Sequence, residues 1–249
     1  MHDRYIYIYG RHTVLEALTK RPDTIAALYM RDDVRDVVPT EMRSQVQHVV
    51  VFSGKKLPVT IDEGAVHQGV IAKLDVTKLM LSYEELLQQV SITNDTAFAV
   101  LGELHDPHNV GAVIRNAAAL GLSAVLVPKH RQVSITPAVL KVSAGMGFRI
   151  PLVEIGNVNQ TLTNLQQQGC FVYGLAGETG SVPLPQEQFT RPSVFVIGNE
   201  GEGLREKTRE HCDVLLSIPM HDRCESLNAS ASAAITFYAW SAQHKEALQ

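Results

Sequence analysis

The chain has 249 residues, 45% hydrophobic and 19% charged, with 22 Lys and Arg against 26 Asp and Glu for a formal net charge of −4. That length accommodates one large domain or two modest ones with an ample core, and the apolar fraction excludes a largely disordered chain. The longest nearly apolar stretch, Ala117 to Val127, is far short of the roughly 20 residues of a membrane span.

The first segment reads as a small α/β unit. Strands are expected at Tyr5 to Tyr9, Ala27 to Met30, His48 to Phe52 and Gly69 to Leu74, with a helix at Thr13 to Leu18. Ser82-Tyr-Glu-Glu85 has the form of a capping box opening a short helix, Tyr83 to Gln89. Polar residues Ser91 to Thr96 follow. The expected division is therefore 1–75 and 95–249, with 76–94 as a linker carrying the short helix. The second segment alternates: strands at Ala97 to Glu103, Ala124 to Val127, Leu152 to Ile155, Phe171 to Leu175, Ser193 to Gly198 and Val214 to Ile218. Helices are expected at Val110 to Leu120, Pro137 to Ser143, Gln160 to Gln168, Leu204 to His211 and Leu227 to Gln243. Such alternation implies a mainly parallel sheet covered on both faces, with ligands at the carboxyl ends of its strands.

Charge is unevenly spread. Residues 107–153 contain Arg115, Lys129, Arg131, Lys141 and Arg149 and no acid, which is +5 over 47 residues and leaves −9 elsewhere. A local basic field attracts a polyanion even on an acidic protein, so a nucleic-acid-binding face is expected there. The start, Met-His-Asp-Arg-Tyr, has no signal-peptide pattern, and a cytoplasmic location is the expectation. Cys170, Cys212 and Cys224 form no Cys-x-x-Cys pair, which argues against a disulfide scaffold or a cysteine zinc site. His105 and His108 beside Asp106 have no matching ligand set, so no metal is expected.

Three constellations fall at strand ends. In Asp106-Pro-His-Asn-Val-Gly-Ala-Val-Ile-Arg115, Asn109 is expected to cap the helix, with Arg115 projecting from roughly the same side. Read alone, an ordinary capped helix with an exposed Arg explains this run equally well. In Ile197-Gly-Asn-Glu-Gly-Glu-Gly-Leu204 the glycines follow neither Gly-x-Gly-x-x-Gly nor the Walker pattern. Glu200 and Glu202 would repel a polyphosphate, so this loop suits an uncharged or cationic ligand such as S-adenosylmethionine. The third run, Ser217 to Ser230, leads from a strand through a polar loop into a small-sided helix; alone, it is explained by tight packing.

Together, Asn109-x-Gly-x-x-x-Arg115, Gly198-x-Glu-Gly-x-Gly-Leu204 and Ile218-Pro-Met…Ser226-Leu-Asn-x-Ser230 resemble the three motifs of the TrmH branch of the SPOUT RNA 2′-O-methyltransferases. The N-terminal runs Ile8 to Leu18 and Asp62 to Ala72 resemble the small RNA-binding domain of its RlmB type, which methylates a guanosine ribose in large-subunit ribosomal RNA. Ala229 stands where that family usually has Val, a loss of packing volume only. The resemblance implies a deep trefoil knot, a homodimer with active sites shared across its interface, and S-adenosylmethionine as cofactor with S-adenosylhomocysteine released. It implies cofactor contacts at Gly198, Ile218 and Leu227, enclosed by Leu175, Ala176, Gly177, Gly201 and Met220. Asn109, Glu200, Ser226 and Asn228 would arrange the site, while Arg115, Lys129, Arg131, His67 and Gln68 would meet RNA. For Arg115, phosphate anchoring and stabilisation of a developing alkoxide are favoured over a role as base, because a guanidinium keeps its charge in a protein. A transfer-RNA substrate and a non-catalytic RNA-binding homologue are the alternatives.

Overall fold

The structure, a computed structural model, describes residues 4–54, 57–61, 64–177, 180–199 and 201–249. The N-terminal unit contains β1 (Tyr5–Tyr9), α1 (Arg11–Lys20), β2 (Ile25–Arg31), α2 (Thr40–Arg43), β3 (Val49–Phe52) and β4 (Val70–Asp75). Its sheet runs β1-β4-β2-β3, with β4 antiparallel to β1 and β2, and β3 parallel to β2. Alternation sends Ile8, Leu28, Met30, Ala72 and Leu74 to one face, where they pack with Val14 and Leu18 of α1. A shift of register between Ile25 and Ala27 turns Ile25 to that same core face.

Asp75 fastens the end of this sheet. Its carboxylate accepts from the Thr77 amide (3.1 Å) and hydroxyl (2.6 Å), and from Arg4 Nη2 (2.9 Å). Burial alone would raise its pKa, but those hydrogen bonds outweigh it and hold the carboxyl below the usual aspartate range. A depressed folded-state pKa contributes stability above the ordinary value, about 3.9, that is lost as pH falls through the lower folded value. Asp75→Ala is expected to cost at least about 1 kcal/mol from the lost cap alone. Urea unfolding of wild type and variant should show the gap at pH 7 and a narrowing gap below pH of about 4.

Next come α3 (Val76–Leu79), β5 (Met80–Leu81) and α4 (Tyr83–Gln89). The expected capping box opens α4: Ser82 Oγ accepts from Glu85 N, and Glu85 Oε2 accepts from Ser82 N. The second sheet follows, with β6 (Ala97–Leu101), α5 (Pro107–Ala119), β7 (Ala124–Pro128), α6 (Pro137–Val142), β8 (Leu152–Ile155), α7 (Val158–Gln167), β9 (Phe171–Leu175) and β10 (Val182–Pro183). It finishes with β11 (Ser193–Ile197), α8 (Glu206–Glu210), β12 (Val214–Ser217) and α9 (Ala229–Ser241). All eight strands pair in parallel, in the order β10-β12-β9-β11-β6-β7-β8-β5. β6, β7 and β11 are buried at every residue, as unbroken apolar runs require of a sheet covered on both faces.

Three local expectations differ from the structure. β5, inside the expected linker, pairs with β8 and adds an edge strand; β10 likewise lies outside the expected strands. Two residues carry too little periodicity to announce either. The helix after β6 starts at Pro107, and its cap is Asp106, which accepts from His108 N at 2.8 Å. Asn109 therefore sits one turn inside α5 rather than capping it.

The two units meet through α1, where Arg149 forks onto Glu16 at 2.8 and 2.9 Å and His12 Nε2 lies 3.1 Å from the Ala144 carbonyl. Among the described residues, no helix is long and apolar enough to cross a membrane.

Candidate functional site

The carboxyl ends of β9, β11 and β12 open into a cavity of about 330 Å³, at the lower end of the range for small-molecule sites. Leu175, Ala176 and Gly177 supply one wall, Ile197 to Asn199 with Gly201 to Gly203 another, and Ile218, Met220, Ser226 and Leu227 a third. Every residue expected to hold a cofactor thus lines one cavity. Arg209 of α8 and Glu225 also line it. Sequence reasoning missed both, since a lone charge outside a glycine-rich run carries no signal.

Asn199 shapes the β11 loop. Its amide donates to Gly203 O (2.9 Å) and its carbonyl accepts from Gly203 N (3.1 Å). Its side-chain oxygen accepts from Gly201 N (2.9 Å) and Glu202 N (3.2 Å), and its Nδ2 donates to Glu103 O at 2.8 Å. The Gly201 and Glu202 amides are therefore engaged within the loop, not fanned out around an anion as in a phosphate loop. A Cβ on Gly198 would lie 2.5 Å from the Gly203 carbonyl carbon and 2.8 Å from Leu204 N. Only glycine permits that closure. With Glu202 and Glu225 on the walls and apolar Leu175, Ile197, Leu216 and Leu227 between them, the cavity suits a ligand with a flat apolar part and a positive part.

Asn228 caps α9, its Oδ1 accepting from Ser230 N (2.9 Å) and Ala231 N (3.3 Å). Its Nδ2 donates to Asn109 Oδ1 at 2.8 Å, which ties α9 to α5, and Asn116 Nδ2 adds a bond to Ser230 O at 3.2 Å. Asn109 and Asn228 thus form a bridge behind the cavity instead of lining it. Asn109 is 6% exposed whereas Arg115 is exposed, so the same-side expectation fails: six residues at 100° each leave the two about 120° apart. Arg115 makes no hydrogen bond or ion pair among the described residues and does not line the cavity of its own chain. Glu200, also expected in the site, lies outside the described residues.

The cations of 107–153 do not form one free face. Lys129 Nζ pairs with Glu154 at 3.0 Å, and Arg149 is held by Glu16. Arg131, with φ of 57°, lies with His130, Arg205 and Lys207 around a second cleft of about 810 Å³ at the ends of β6 to β8. His67 and Gln68 belong to the N-terminal unit, where His67 Nδ1 accepts from Gly69 N (3.0 Å) and Gln68 Oε1 from Arg11 N (2.9 Å). Among the described residues, no cluster of His, Cys, Asp and Glu could hold a metal ion.

Fold and cavity define a parallel-sheet α/β protein with a small-molecule site at strand ends, joined to a smaller mixed-sheet unit. Residues 96–238 match the SpoU rRNA methylase family, and residues 7–78 match a domain described as RNA 2′-O ribose methyltransferase substrate binding. The chain belongs to the SpoU rRNA methylase family. It is 36% identical over 236 residues to the 23S rRNA (guanosine-2′-O-)-methyltransferase RlmB of Pseudomonas syringae pv. tomato, covering 93% of each chain. Identity to the protein of the same name from Nitrosomonas europaea is 34% over 245 residues, 96% of this chain and 92% of that one. Among solved structures, the SpoU methyltransferase AviRb of Streptomyces viridochromogenes, crystallised in complex with AdoMet, shares the fold with a TM-score of 0.80. That pair is 20% identical, over 98% of this chain and 92% of the other.

Proposed function

We propose that the chain transfers a methyl group from S-adenosylmethionine to the ribose 2′-hydroxyl of a guanosine in 23S ribosomal RNA, the activity for which its curated relatives are named. The observation that carries this is the cavity at the ends of β9, β11 and β12, lined by the second and third motifs and closed by a loop whose amides turn inward to Asn199. The donor set fits S-adenosylmethionine: apolar side chains for a purine, close backbone at Gly198, and carboxylates facing a cationic ligand. When bound, the cofactor supplies an electrophilic methyl group. Gly198, Ile218 and Leu227 would hold it through backbone groups, with Leu175, Ala176, Gly177, Gly201 and Met220 enclosing it.

The remaining requirements are alignment of the 2′-hydroxyl and stabilisation of charge as its proton leaves. Arg115 meets the second as a free cation that anchors a phosphate and faces the developing alkoxide. Asn109 and Asn228 hold α5 and α9 in register, and Ser226 and Glu200 are assigned with them to arranging the site. Because Arg115 lies outside the cavity of its own chain, it is proposed to serve the cavity of a second protomer. The α9 sequence supports such a homodimer: Ile235 and Tyr238 are 40% and 66% exposed on a helix that carries no charged side chain. The trefoil knot, the domain division at 1–75, 76–94 and 95–249, RNA contacts at Lys129, Arg131, His67 and Gln68, and a cytoplasmic location belong to the same reading.

The test is transfer of labelled methyl from S-adenosylmethionine onto separated ribosomal and transfer RNAs. Label in 23S RNA is expected. Label only in transfer RNA would reassign the substrate, and cofactor binding without label in any RNA would leave a binding protein.

A further inference from the structure

The outer face of the N-terminal sheet carries side chains that the functional reading leaves without a task. On β1, Tyr5, Tyr7 and Tyr9 alternate with Ile6 and Ile8. Strand pairing sets Lys73 opposite Tyr7, Ile71 opposite both Tyr9 and Tyr29, and Val50 beside Tyr29. Four tyrosines and a lysine therefore share the face that points away from α1. Ile71 is fully buried and Ala27 is 7% exposed, yet neither belongs to either hydrophobic core. In the strand register Ile71 lies between Tyr9 and Tyr29, and Ala27 lies opposite Lys73.

A solvated strand face of an antiparallel sheet ordinarily carries polar and charged residues, whereas this one carries four tyrosines. Tyr5 is 38% and Val50 40% exposed, and Tyr7, Tyr9 and Tyr29 are half-buried. The Tyr7 and Tyr29 rings lie 6.3 Å apart, tilted by 57°, at the centre of the face. Cations stand at both ends: Lys73 Nζ is 4.3 Å from the Tyr5 ring centre, and Lys141 Nζ, from α6, is 5.5 Å from that of Tyr9. Neither lysine has an acidic partner among the described residues. The one acid at the strand positions of this face, Asp75, is buried and bound by Arg4.

We propose that this face is a stacking platform for unpaired bases of the RNA substrate, with Tyr7 and Tyr29 as the rings and Lys73 and Lys141 receiving the flanking phosphates. The proposal rests on the methyltransferase reading above and gives its N-terminal unit a mode of recognition. Rings interleaved with cations match the two parts of a single strand, π-faces for the bases and charge for the backbone. Successive same-face positions along β1 are about 6.8 Å apart, so neighbouring bases would be received unstacked from each other. A duplex, whose bases are already stacked, offers nothing to this face. Lys141 also ties the platform to the second unit, so RNA held there would run toward the methyltransferase sheet.

The experiment measures binding of the full chain to a fluorescein-labelled, mixed-sequence single-stranded oligoribonucleotide by anisotropy at fixed salt, with an abasic counterpart of equal length. Tyr7→Leu and Tyr29→Leu keep a large apolar side chain at each position and are each expected to weaken binding about tenfold, while Tyr7→Phe and Tyr29→Phe bind as wild type. Wild type should lose a similar factor on the abasic strand, a comparison that holds even if a leucine variant fails to fold. In methyl transfer, the leucine variants should raise KM for RNA about tenfold and leave kcat unchanged.

Wild-type affinity in both leucine variants, or equal wild-type affinity for the abasic strand, would overturn the platform. A change of oligomeric state without loss of RNA affinity would do the same and assign the face to a contact between copies. The two readings separate cleanly. Transfer by wild type with unaltered binding in the leucine variants refutes the platform alone. Tyrosine-dependent binding without transfer to any RNA refutes the methyltransferase reading and leaves the platform standing.

Discussion

Arg115→Ala is expected to lower kcat for RNA methylation by about 100- to 1000-fold, the range seen when a preorganised group facing developing negative charge is removed. Affinity for S-adenosylmethionine should be unchanged by calorimetry, because Arg115 does not line the cavity of its own chain. Arg115→Lys keeps the charge but not the planar fork and should recover part of the loss. Equal loss of cofactor binding would contradict the assignment, and so would full activity in the alanine variant.

Gly198→Ala acts at the other end of the site. A methyl group there would press on the backbone of Gly203 and Leu204, and backbone can yield only by shifting the loop that Asn199 holds. Overpacking of this kind costs about 1–3 kcal/mol, so cofactor affinity is expected to fall by about 5- to 150-fold, with the fold retained and the thermal midpoint lowered by no more than roughly 10 °C. Unaltered cofactor affinity would remove the β11 loop from the binding site.

Mixing the two variants tests the proposed dimer. If Arg115 of one protomer serves the cavity of the other, a heterodimer of Arg115→Ala and Gly198→Ala chains contains one intact site. A random mixture would then regain about a quarter of wild-type activity. An inactive mixture of exchanging protomers would place Arg115 in its own chain's site.

Much of this architecture was legible in the sequence because it rests on short-range rules. Unbroken apolar runs such as Ala97–Leu101 and Ser193–Ile197 announce a sheet buried on both faces. Ser82 with Glu85 announces a helix start, and the structure contains both reciprocal bonds. What was illegible depends on partners distant in sequence. Met80–Leu81 becomes a strand only because β8 lies beside it. Asn109 looked like a cap, but its amide meets Asn228, which lies 119 residues away. The charge excess of 107–153 resolved into separate contacts because Glu16 and Glu154, outside that stretch, neutralise two of its cations. The second and third motifs led to one cavity, whereas Asn109 and Arg115 of the first lie outside it, because six helical residues turn Arg115 about 120° away from Asn109.

If the proposed function holds, this chain makes 2′-O-methylguanosine in 23S ribosomal RNA. The direct measurement is incubation of unmodified 23S RNA with the protein and S-adenosylmethionine, nuclease digestion to nucleosides, and mass spectrometry against an Arg115→Ala control. One new ribose-methylated guanosine that depends on the cofactor and on Arg115 is expected. A methyl group on a base, on a different nucleoside, or on no nucleoside of 23S RNA would contradict it.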